Sequence, residues 1–150
     1  MIRFKNMSPR ALSEFIKKSP KYEAVFDENK IWKRIDPWEW IGILIHRPKF
    51  ASKCDEYRIW AHFTPLDWVA LLQAKPKFSD RCDKYNGWKY FDGESWAELI
   101  ADRPVFESKC SELDAWKKFD IYDWLHLGCY QSEILYRHNP NFEEQYKAEK

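Results

Sequence analysis

The chain has 150 residues, with 25 basic and 24 acidic side chains and a formal net charge of +1, which excludes a global electrostatic pull towards nucleic acid or an anionic membrane. Its length suits one domain with a substantial buried fraction, and its aromatic content of 18%, nine Trp included, is chiefly core material by the burial habits of those rings. No apolar run approaches the ~18 residues of a membrane span, and Met1 to Phe15 lacks the pattern of a secretory leader, so a soluble cytoplasmic protein is expected.

From the N-terminus, Phe4 is followed by Ser8-Pro9 and Leu12. A hydroxyl cap followed by Pro at the first helical position marks a helix start. The same grammar returns 28 residues later with Trp32, Asp36-Pro37 and Trp40, and again with Trp60, Thr64-Pro65 and Trp68. Asp92 and Trp96, then Asp120 and Trp124, continue it. Asp36 has Glu39 three residues on, the spacing of a capping box. Within the long helix, Trp40, Ile43 and Leu44 form one apolar face, as do Trp68, Leu71 and Leu72, and Trp96, Leu99 and Ile100.

Each long helix is predicted to stop before the Pro ladder, Pro20, Pro48, Pro76 and Pro104, because a residue preceding Pro is held out of helical geometry. A second, shorter helix carries Phe50, Cys54 and Tyr57, then Phe78, Cys82 and Tyr85, then Phe106, Cys110 and Leu113, all at i, i+4 and i+7. An aromatic turn bearing Trp88 and Phe91 leads into the next cap. A fixed period of this size marks a stacked array whose units bury their apolar faces on one another. The expected fold is an all-α solenoid, one helical repeat domain over 1–150. Its five helix–short helix–turn units cover about 4–31, 32–59, 60–87, 88–115 and 116–150.

The ends depart from the pattern. The first unit carries Phe4, Leu12 and Phe26 where later units carry Trp, Trp and Cys, and it begins so close to Met1 that the chain reads as complete. In the last, Ser132 stands where Pro is due, and Pro140, Phe142 and Tyr146 recover the register about two helical turns late, as a lengthened cap would. The string W-x-x-L-L-x-x-x-P-x-F-x-x-x-C-D, here Trp68 to Asp83, resembles Trp-rich tandem repeats of predicted bacterial proteins with no assigned activity. The resemblance covers nearly all of the chain; it implies a helical array and adds no chemistry.

Candidate chemistry is sparse. His46, His62, His126 and His138 occupy four different repeat positions, and none neighbours a Ser or Cys in a nucleophile arrangement. Cys54, Cys82 and Cys110 are repeat equivalents, expected as reduced, buried thiols. Cys129, outside the ladder among Leu127, Gly128 and Tyr130, is also expected to be buried. No zinc spacing and no Gly-rich phosphate loop is present, so neither metal nor cofactor is predicted, and an enzyme is the least favoured reading.

Two basic ladders run along the array: Arg47, Lys75 and Arg103, and Lys53, Arg81 and Lys109. They suit a phosphate backbone or an acidic protein face; equally, they suit helix C-termini, where cations are favoured anyway. Trp38 corresponds to Arg10, Leu66, Glu94 and Tyr122, so the scaffold does not require an aromatic there. As the second residue of its helix it suits an interface anchor, with Leu66 and Tyr122 as companions; packing against the preceding turn is the competing account. The sequence points to a non-enzymatic module that binds a protein partner by occupancy. It would be an adaptor or a stoichiometric inhibitor, and a phage or mobile-element blocker of a host enzyme fits that description. Single-stranded nucleic-acid binding along the basic edge is the alternative.

Overall fold

The structure, a computed structural model, describes residues 3–149, which hold α-helices and 3-10 turns and no β-strand. Long and short helices alternate: α1 (Pro9–Lys18) and α2 (Glu23–Glu28), α3 (Pro37–His46) and α4 (Ala51–Glu56), α5 (Pro65–Ala74) and α6 (Ser79–Lys84), α7 (Gly93–Asp102) and α8 (Glu107–Glu112). Then come α9 (Ile121–Tyr130), α10 (Ser132–His138) and α11 (Phe142–Ala148). Each long helix through α9 has 10 residues and each short one through α8 has 6. A 3-10 turn over the Pro ladder joins long helix to short, as at Pro48–Phe50, and a second one opens the next repeat, as at Ile59–His62. The all-α repeat fold expected from the 28-residue period is therefore present.

The chain divides into two compact units, Met1–Gly87 and Trp88–Lys150, with the division on a repeat boundary. In the first, α1 packs on α3 and α3 on α5; in the second, α7 packs on α9, which also carries α10 and α11. From the second repeat on, the core of each is a pair of Trp rings. Trp60 stacks on Trp68 at 5.5 Å and 10°, Trp88 on Trp96 at 5.1 Å and 12°, and Trp116 on Trp124 at 5.6 Å and 11°. Trp32 and Trp40 make the same pair at 5.4 Å and 28°. Phe63 and Phe91 lean on both rings of their own pair, and Phe50, Phe78 and Phe106 tilt against the first ring. Such offset pairs add stabilisation beyond the area they bury.

Local chemistry explains why the helices begin and end on schedule. Ser8 accepts a hydrogen bond from the Ala11 amide and Asp92 from that of Ser95, while Thr64–Asp67 and Asp120–Asp123 form complete capping boxes. Asp36 is the exception. It keeps the extended cap backbone, but its side chain makes no cap bond, so the predicted box with Glu39 does not form. Pro37 and the backbone bond from the Trp40 amide to the Asp36 carbonyl already set that start. At the other end, Arg47, Lys75 and Arg103 all leave helical geometry, with φ between −136° and −131° and ψ between 71° and 81°, as a residue before Pro is pushed to do. Gln131 takes the same geometry before Ser132, so the stop does not need the proline once the neighbouring repeat is in place.

The last repeat is lengthened as its sequence suggested. α10 occupies the place of the Pro-x-Phe turn and buries Ile134 and Leu135. His138 then stacks on Trp116 at 4.0 Å, and α11 buries Phe142.

Candidate interaction surface

The outer face of the long helices starts at their second residue. Trp38 is 56% exposed, Leu66 62% and Tyr122 68%, so none packs against the preceding turn. The surface around Trp38 and Leu66 stays apolar along its helices: Gly42 and Ile45 on α3 and Ala70 on α5 are half-buried, and Ala74 is exposed. Ile41 and Val69 fill the seam at their base. On α1 the same face is ionic, with Arg10, Glu14, Lys17 and Lys18, and Lys17 pairs with Glu14. In the second unit it changes sign. α7 presents Glu94, Glu98 and Asp102, and α9 presents Tyr122, His126, Cys129 and Tyr130.

Cys129 corrects an expectation. It is exposed, whereas Leu127 is the buried member of that turn. Its repeat equivalents are Lys17, Ile45, Gln73 and Ala101, an outward position that no ladder of one residue type revealed. The ladder thiols of Cys54, Cys82 and Cys110 are fully buried and reduced. Burial pushes the Cys54 thiol well up and that of Cys110 up to about 12, so both stay protonated and inert.

The two basic ladders have distinct surroundings. Lys53 lies 2.9 Å from Asp27 and 3.5 Å from Glu23, both one repeat earlier, and 3.8 Å from Glu56. Arg81 holds Asp55 with two nitrogens at 2.9 and 3.2 Å, and also meets Asp80. Lys109 pairs with Glu112 at 3.3 Å. The aspartates are shared with the core: the Trp32 indole N–H donates to Asp27 and that of Trp60 to Asp55, each at 2.7 Å. A Trp–Asp–cation clasp thus ties each of these repeats to the next. Burial works to raise the Asp55 carboxyl, but the hydrogen bonds from Arg81 and Trp60 outweigh it and hold it below its usual range. The sequence signal was an Asp five residues before a Trp, at Asp27, Asp55 and Asp83; its meaning needed the neighbouring repeat.

In the other ladder, Arg47 donates from Nε to the Lys17 carbonyl at 2.9 Å, capping the end of α1, and Gln131 does the same to Ala101 at 3.0 Å. Arg103 lies 3.8 Å from Asp102, and Lys75 is half-buried. Of the histidines, His46 bonds to the Gly42 carbonyl, and His138 and Arg137 both hold Glu107, at 2.7 and 2.6 Å. No group of three or more His, Cys, Asp or Glu among the described residues is placed to hold a metal ion. No described helix is long and apolar enough to cross a membrane. No family model matches the chain, and neither a curated protein nor a solved structure matches it.

Proposed function

We propose that this chain is a non-enzymatic binding module of the Trp-rich tandem-repeat kind, acting by occupancy on a protein partner as an adaptor or stoichiometric inhibitor. The observation that carries the reading is Trp38, a large ring left 56% exposed at a position whose repeat equivalents are Arg10, Leu66, Glu94 and Tyr122. The fold makes no demand for it, and an exposed Trp on a rigid helix is the side chain that anchors interfaces most effectively. Leu66 and the small residues of α3 and α5 extend the same surface. Three fully buried, reduced thiols suit a reducing compartment, which supports a cytoplasmic setting.

Nucleic acid is the weaker reading, because Lys53, Arg81 and Lys109 are matched by carboxylates and Arg47 caps a helix. The test is affinity capture from source-cell lysate with the wild type and Trp38→Ala side by side. A discrete stoichiometric partner held by the wild type and lost from the variant is the expected result. A chain that stays solitary in every condition overturns the proposal. Capture of nucleic acid that weakens steeply with salt would transfer the function to the basic edge.

A further inference from the structure

We infer that the first repeat holds a fatty carboxylate, its tail on Phe4, Val25 and Ile31 and its head among Arg3, Lys5 and Arg34. These residues line a hollow of about 830 Å³ between α2 and the 3-10 turns Phe4–Asn6 and Ile31–Arg34, within the size range of small-molecule sites. Phe4 and Ile31 are buried and Val25 is half-buried, so they form its floor; Arg3, Lys5 and Arg34 are exposed and form its rim. No Asp or Glu is among the described residues that line it. Arg34 donates to the carbonyls of Phe4, Lys5 and Met7 at 2.9, 3.3 and 2.7 Å. Those bonds fix the guanidinium at the rim and leave its charge without a counter-ion.

The 28-residue step shows that the scaffold demands neither half of this arrangement. Arg3 falls on the position of Ile31, Ile59, Gly87 and Ala115, all of them buried. Val25 falls on the position of Lys53, Arg81 and Lys109, so the first repeat has no clasp cation there. It thus exchanges the two characters: a cation where the others bury an apolar or small residue, and an apolar side chain where they carry a cation. A repeat face that no neighbour covers is expected to be polar throughout; this one keeps an apolar floor beside charges of one sign. An apolar chain ending in a single negative charge satisfies both features. A bare anion gains nothing from the floor, and a neutral or cationic amphiphile leaves the rim unmatched. Because the rim is exposed, salt screens the head and the tail supplies most of the affinity.

Titration of the full chain with decanoate, below the concentration at which it forms micelles and followed by amide NMR shifts, tests this. The wild type should show saturable shifts centred on Phe4, Val25 and Ile31. Acetate, which lacks the tail, and decyltrimethylammonium, which reverses the head, should produce none there. The pair Arg3→Glu, Lys5→Glu should weaken decanoate by about tenfold, as the loss of two exposed attractions and their reversal implies, and should admit decyltrimethylammonium instead. Val25→Lys restores the cation of the later repeats and should abolish binding of the tail, whereas Val25→Leu should retain it. The amide spectra report whether each variant is folded, and Arg3→Gln, Lys5→Gln replaces the charge reversal if that pair is not; it should weaken decanoate without admitting the cation. Shifts that do not saturate, that centre on Trp38 and Leu66, or that are alike for decanoate and decyltrimethylammonium overturn the site. So does decanoate binding that survives both the rim variants and Val25→Lys. None of these outcomes bears on capture of a protein partner through Trp38, which is a separate reading.

Discussion

Trp38 and Trp68 are the same side chain on neighbouring helices, and their positions assign them opposite work. Trp68 is 1% exposed and stacked on Trp60. Replacing it with Ala removes a ring from a closed core, and we expect a loss of ~3–5 kcal/mol in denaturant unfolding. Trp38→Ala removes a ring that is mostly in water, so the melting temperature should barely move; a large drop would make Trp38 a packing residue. Asp55 supplies a second test. Its carboxyl is depressed by Arg81 and Trp60, so the clasp stabilises fully above the unfolded carboxyl range near pH 4 and is lost as pH falls through the lower folded value. Asp55→Asn should cost about 1–2 kcal/mol at neutral pH, by weakening hydrogen bonds that involve charge. It should also flatten the acid limb of a stability-versus-pH curve. An unchanged limb would show that the Trp–Asp–cation clasp carries no stability.

At the scale of elements, the short helices end in a way that no residue pattern announced. Lys30, Arg58, Asn86 and Asp114 all adopt left-handed backbone, with φ of 53–56° and the 28-residue step. Glycine is the usual occupant of such a place, yet only Asn86 and Asp114 are residue types that tolerate it well. The repeat geometry imposes the turn regardless. Arg58→Gly should therefore stabilise by up to about 1 kcal/mol, strain relief being partly offset by backbone entropy. Arg58→Ile should cost ~1–2 kcal/mol, since a β-branched residue is worst at positive φ. Equal melting temperatures for the two would mean the turn is not held. The long-helix starts were legible, because a cap residue followed by Pro acts within a few residues. Asp36 shows where that reasoning stops: its side chain makes no cap bond although its sequence is among the best of the set.

Across the molecule, the two compact units are built from one repeat, but their ends differ. In the second unit α10 and α11 close over α9, with His138 taking the place against Trp116 that a Phe takes in earlier repeats. A chain ending at Tyr130 would uncover Leu127 and Trp124, which are 0% and 8% exposed. Its second unit should unfold at lower denaturant, whereas the first unit should keep its own transition. One cooperative transition shifted as a whole would instead show that the units fold together. Terminal caps matter in repeat proteins because each unit buries its face only on a neighbour.

The amino-acid sequence alone determined the repeat, its 28-residue length, the starts and stops of the long helices, the Trp ladders as core material and the irregular final cap, since each rests on local chemistry or strict periodicity. Position within the repeat also marked Trp38, Leu66 and Tyr122 as residues the scaffold does not use. Only the tertiary structure decided the fate of the charges and of Cys129. Lys53 and Arg81 bind aspartates one repeat away, and Cys129 faces outward while Cys82 does not. Those outcomes depend on what the adjoining repeat presents across the gap, and a one-dimensional period records the spacing of residues without recording which of them meet.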